Sequence, residues 1–149
     1  MLSKIRALKE KKGFTLVELI VVLVILAILA ALLIPALTGY IDKANKEKVI
    51  AEARMVVMAV QTEASTVYGS AGEVTSFTSD QQTEIAKLAE VKGTWNATVD
   101  KSGVVTSVTY NHNGWQVVYS STSSGAGYAD PTPTSDSLTT SYTFTSTSK

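Results

Sequence analysis

Gly13-Phe14-Thr15-Leu16-Val17-Glu18 sets a lone carboxylate just inside an apolar run that continues unbroken from Leu19 to Ile34 and meets Pro35. A glutamate deep in hydrocarbon costs about 2.5–3.5 kcal/mol on insertion scales, so Glu18 asks for a partner. The alternative is a seat at the lipid–water boundary, where the charge stays hydrated. Neither setting points to catalysis. Other reactive residues are sparse. Cysteine is absent, which removes thiol catalysis, disulfide exchange and thiolate metal sites. His112 is the only histidine and falls in an expected hairpin turn, where exposure is the default. Zinc sites and histidine-based triads therefore lack parts. There is no P-loop and no dinucleotide fingerprint. Asp100, Asp130 and Asp136 read as scattered, solvated loop acids without the spacing of a calcium loop. The expectation is a chain that is not an enzyme and holds neither metal nor cofactor.

The element that must position Glu18 is a long helix. Phe14 to Leu37 spans about 36 Å as a helix, against roughly 30 Å of bilayer hydrocarbon. Residues 1–12 carry Lys4, Arg6, Lys9, Lys11 and Lys12 against Glu10, a net of +4, and the rest of the chain nets −4. Basic residues before an apolar segment mark the cytoplasmic side, so the bulk of the chain is expected to face outward. An ordinary secretory signal would be cut after the apolar stretch, near Ala36. Against this, the run is longer than a usual signal core, Glu18 lies inside it, and helical patterning continues past the supposed cut. Pro35 removes a backbone hydrogen bond and crowds the carbonyl of Ala31. With Gly39 nearby, a kinked continuation is favoured over a simple stop. Ala30, Ala31 and Ala36 suit close helix packing.

These residues resemble the class III signal of type IV pilins and their pseudopilin relatives: a basic leader ending in glycine, an aromatic, a glutamate four residues later and a proline 21 residues after the aromatic. The resemblance covers about the first third of the chain. It implies cleavage between Gly13 and Phe14 by a prepilin peptidase on the cytoplasmic side, then N-methylation of Phe14. It further implies a filament in which the new ammonium of Phe14 meets Glu18 of a neighbouring copy, neutralising both charges and fixing the axial register. A buried ion pair is tolerable only when both partners are present. Many type IV pilins staple their C-terminal region with a disulfide, and this cysteine-free chain departs from that pattern.

Beyond the stem the pattern is that of one small head. From Tyr40 to Tyr68, Val49, Ala53, Val56, Val60, Ala64 and Val67 recur at three- and four-residue steps, one face of a helix, with Gly69 as its stop. A polar connector with Phe77 leads to a short helix from about Asp80 to Val91, with Ser79 as N-cap, Gln82 in the capping-box position, an inward face of Ile85, Leu88 and Ala89, and Gly93 as its end. The period then changes to two. Trp95, Ala97 and Val99 form one strand, Val104, Thr106, Val108 and Tyr110 the next, and Trp115, Val117 and Tyr119 a third. Lys101-Ser102-Gly103 and Asn111-His112-Asn113-Gly114 are the turns. Trp95, Tyr110 and Trp115 read as packing residues. Serine and threonine make up more than half of residues 121–149, the composition of an exposed segment, with Ser141 to Ser146 as a fourth, edge strand. Asn96-Ala97-Thr98 fits a glycosylation sequon but lies in an expected strand and reads as chance.

The fold class expected is therefore α+β and type IV pilin-like, a long N-terminal helix packed against a small antiparallel sheet of three to four strands. Its parts are a cleaved leader (1–13), a hydrophobic stem (14–39) and a head (40–149). Within the head lie the helix half 40–68, a connector 69–93, the sheet 94–120 and the C-terminal segment 121–149. The function expected is a type IV pilus subunit that polymerises with itself. Its partners would be prepilin peptidase, the pilus assembly machinery and minor pilins, with the cytoplasmic membrane holding the single-pass precursor. No basic patch in the exported part suggests nucleic acid. A pseudopilin of a type II secretion or DNA-uptake machine is the nearest alternative, and a singly displayed membrane-anchored binding module is the next.

Overall fold

The computed structural model describes Gly13, residues 15–122 and residues 125–146; Phe14 and the basic leader lie outside the described residues. The chain divides into two units, Met1–Ile41 and Asp42–Lys149. One helix, α1 (Leu16–Ala71), belongs to both and passes through Pro35 without ending. Thr38 Oγ1 donates to the Pro35 carbonyl at 2.9 Å. Helix α1 also runs past Gly69, the expected stop. Its end is set at Gly72, whose positive φ of 80° and N–H bond to the Tyr68 carbonyl at 2.8 Å make the left-handed cap that closes many helices.

In the second unit, Val49, Ala53, Val56, Val60 and Ala64 of α1 are buried, the stripe its spacing predicts, and Val67 is half-buried. They meet a sheet of β1 (Thr94–Asp100), β2 (Val105–His112), β3 (Trp115–Thr122), β4 (Gly125–Tyr128), β5 (Thr132–Pro133) and β6 (Ser141–Thr145). The path runs β4-β3-β2-β1-β6, with β5 pairing β3. The expected meander of three antiparallel strands is its centre. Ser141–Thr145 joins as an edge strand, but parallel to β1, so the sheet is mixed and has six strands rather than three or four. Much of the expected exposed C-terminal segment is thus sheet, because Tyr128, Tyr142 and Phe144 pack against the core. Phe77 stacks edge-on against both Tyr142 and Phe144, with ring centroids 5.3 and 5.1 Å apart.

Helix α2 (Ser79–Ala89) starts one residue earlier than expected. Thr78 is the N-cap and Gln81 completes the capping box, the Thr78 N–H donating to Gln81 Oε1 at 2.7 Å. Both Thr78-x-x-Gln81 and Ser79-x-x-Gln82 fit the motif. The first is realised where Phe77, just before the cap, is buried in the core. The helix closes at Glu90, which is left-handed (φ 50°), so Gly93 is not its stop. Gly93 serves a different end: a Cβ there would collide with the Asn111 carbonyl and the Tyr110 ring.

The second strand faces the core differently from its simple alternation. Thr98 pairs with Ser107 but Val99 pairs with Val105, a register shift that leaves Thr106 unmatched. Such a bulge reverses the parity of what lies beyond it, so Val105 is buried and Val104 is on the surface. The turn between β1 and β2 is tied to α1 by Gln61, whose Nε2 donates to the Gly103 carbonyl at 2.7 Å and whose Oε1 accepts from the Val105 N–H at 3.0 Å. Asp100 is no solvated loop acid. It is buried, and its Oδ1 accepts from Ser102 Oγ at 2.8 Å and the Val104 N–H at 2.9 Å, organising the same turn.

Candidate assembly site

Helix α1 begins with a reciprocal pair of contacts. The Glu18 N–H donates to Thr15 Oγ1 at 3.2 Å, and Glu18 Oε2 accepts from the Thr15 N–H at 2.9 Å and from its hydroxyl at 3.0 Å. This is a capping box with Thr15 as N-cap and Glu18 at the third helical position, satisfying helix N–H groups that have no partner within the helix. Negative charge is also favoured here by the helix dipole. The signal for it, Thr-x-x-Glu before an apolar run, is present in the sequence, and the capping role adds to the charge pairing or boundary seat expected of Glu18. All described hydrogen bonds to the carboxylate use Oε2, so among the described residues Oε1 accepts none.

Gly13 is exposed, and a Cβ added to it meets nothing within 4 Å. The fold itself does not call for glycine there. Behind Glu18, the large apolar side chains from Leu16 to Leu37 are between 49% and 75% exposed. A helix apolar on all sides needs cover from lipid or protein, and this one is long and apolar enough to cross a membrane. The described geometry therefore offers three things together: an accessible glycine, a carboxylate held at a helix start and an uncovered greasy stem.

A second polar cluster lies in the head, between residues too far apart along the chain for any local spacing to announce it. Glu52 Oε2, on α1, lies 2.6 Å from His112 Nδ1 and accepts from the Tyr110 hydroxyl at 2.9 Å. The Gly93 N–H donates to the same Tyr110 oxygen at 3.1 Å. His112 is thus in β2 and mostly buried, not in the turn; the turn is Asn113-Gly114 alone, both left-handed. Burial first, then the bond to Glu52, pushes the Tyr110 phenol well above the usual tyrosine range. It stays a neutral donor that clasps helix to sheet. The cluster ties α1 to β1's leading edge and β2. The acids Asp100, Asp130 and Asp136 are not brought together, and no group of three potential metal ligands occurs among the described residues.

Trp95 and Tyr110 are buried in the core as expected, while Trp115 is half-buried with Lys46 5.6 Å above its ring. Residues 8–34 match the prokaryotic N-terminal methylation motif. Neither a curated protein nor a solved structure matches the chain.

Proposed function

We propose that this chain, whose methylation motif is the class III signal of type IV pilins and pseudopilins, is a structural subunit of a type IV pilus. The motif match over residues 8–34 is the observation that carries the reading, and the exposed stem headed by Glu18 supports it. In this reading the precursor sits in the cytoplasmic membrane with its leader inside. Prepilin peptidase cuts between Gly13 and Phe14, and Phe14 is N-methylated. The assembly machinery then lifts the subunit from the bilayer, with minor pilins accompanying it, into an extracellular filament. There the stems cover one another in place of lipid.

Assembly is driven by removing two charges and one apolar surface from unfavourable surroundings at once. The ammonium freed at Phe14 meets the Glu18 carboxylate of a neighbour, and Oε1 is the oxygen without a described partner. Because each charge is penalised alone in an apolar setting, only a register that pairs them is stable. A pseudopilin uses the same device in a shorter fibre, and filament length on the cell separates the two.

Intact-mass measurement of the membrane and filament forms tests the proposal. The expected product lacks residues 1–13 and carries one added methyl group at its new N-terminus. A mature protein that retains its leader and remains a lone membrane-tethered subunit would overturn the reading and favour the binding module.

A further inference from the structure

The head presents an apolar groove where α1 and α2 border its core, floored by buried Ala59. Met55, Met58 and Leu88 are 46%, 66% and 54% exposed. With Ala59 and Thr62 they line a depression of about 210 Å³ between α1 and α2. Thr62 Oγ1 turns back to the Met58 carbonyl at 2.8 Å, so the residue's hydrogen-bonding need is met on its own helix. Glu84, one turn before Leu88, is held by Lys87 at 2.6 Å, a charged rim beside the apolar floor. Scattered exposed apolar residues need no explanation, but a contiguous patch rimmed by polar groups marks an interaction site. Methionine lines such surfaces because its unbranched thioether adapts to whatever shape packs on it.

We infer that this groove receives aliphatic side chains from the stem of a second copy, a contact that rests on the filament reading above and names one of its surfaces. The stem is the complementary object on the page. From Leu19 to Ile34 every side chain is Leu, Ile, Val or Ala, none is buried within its own chain, and any face of it supplies branched knobs for a hole between two helices. Groove against groove is the competing arrangement. It would close a two-fold pair and leave the stems bare, whereas groove against stem is heterologous and open-ended, as a filament requires.

The absence of cysteine makes the test direct. Met58→Cys is combined in turn with Val22→Cys, Ile25→Cys, Leu29→Cys or Leu32→Cys, and assembled filaments are oxidised. Within one copy these positions lie many turns apart on α1, so any disulfide joins two copies. The expected result is a ladder of covalent multimers for at least one pair and none for either single variant. Should Met58→Cys prevent assembly, Leu88→Cys reports on the same groove from α2. Met58→Glu should lower filament abundance on the order of tenfold or more, since it carries a charge into an apolar contact, while leaving the head's melting temperature unchanged. Filaments of normal abundance in which neither groove cysteine reaches any stem position would overturn this inference and leave the pilus reading standing. Covalent dimers from Met58→Cys alone would likewise overturn it in favour of groove against groove. If the native chain forms no filament, the proposed occupant is gone and both readings fall together.

Discussion

Glu18 has two tasks that ordinary substitution would confuse. It completes the capping box with Thr15, and in the proposed filament it also supplies the charge that meets a neighbour's Phe14 ammonium. Glutamine keeps an acceptor at the third helical position, where the box accepts either residue, but carries no charge. Glu18→Gln and Glu18→Ala are therefore both expected to enter the membrane and fold their heads, and both to lose filaments. Normal piliation by the glutamine variant, seen by electron microscopy, would assign Glu18 to capping and refute the charge-pairing role. Thr15→Ala removes the cap alone, at about 0.5–2 kcal/mol of helix stability, and is expected to reduce filaments less than either. In the head, the Tyr110 phenol is held above its ordinary range, mainly by burial. A group that binds its proton more tightly when folded adds stability that is intact below its unfolded pKa, about 10, and lost as pH climbs beyond it. Alkaline titration followed by circular dichroism should show the head weakening above about pH 10. Tyr110→Phe is expected to flatten part of that slope and not all of it, because burial also raises Tyr128. An unchanged slope in the phenylalanine variant would remove Tyr110 from the account.

At the scale of elements, what the sequence made legible was local periodicity, and what it hid depended on contacts between distant segments. The α1 stripe from Val49 to Ala64, Ile85 and Ala89 on the inward face of α2, and the Asn113-Gly114 turn were readable from spacing, whereas Leu88, expected on that same inward face, is 54% exposed. The β2 bulge was not, because nothing in Val104-Val105-Thr106 distinguishes the two parities. Beside it the Val105 N–H donates to Gln61, 44 residues away in sequence. The parallel pairing of Ser141–Thr145 with β1 was equally hidden, since edge-strand character is local and orientation is not. His112 looked like a turn residue because its partner Glu52 is 60 residues away. At the stem, Thr15-x-x-Glu18 is legible in the sequence as a capping box, and the same glutamate serves both that cap and any charge pairing. The bulge can be checked by a pair of substitutions. Val105→Ala removes buried methyl groups and is expected to cost about 1–3 kcal/mol. Val104→Ala lies on the surface and is expected to stay within about 0.5 kcal/mol of the native chain. Denaturant melts giving the opposite order would mean the strand keeps simple alternation. Gly93→Ala should exceed both, because its Cβ collides with a backbone carbonyl as well as the Tyr110 ring.

For the whole molecule, the division of labour between stem and head is written in burial. Every core residue lies between Val49 and Val117, with partly buried Tyr142 and Phe144 added from the last strand. Among the described residues, none of these belongs to Met1–Ile41. With no cysteine, the head's stability rests on packing and on polar clasps such as Glu52–Tyr110 and Gln61–Gly103. A chain that starts at Asp42 should consequently fold by itself. Its helix would open on an acidic residue, which suits a helix N-terminus, and has nearly two turns to fray before Val49 is reached. The expected outcome is a soluble domain with a single cooperative melt, matching the transition of the full chain in detergent. It should also keep the alkaline weakening assigned to Tyr110, since that cluster lies wholly within it. A truncated chain that is expanded or melts without cooperativity would show that the stem supports the head after all, and exposure of the stem could then no longer be attributed to a need for lipid or sister copies alone.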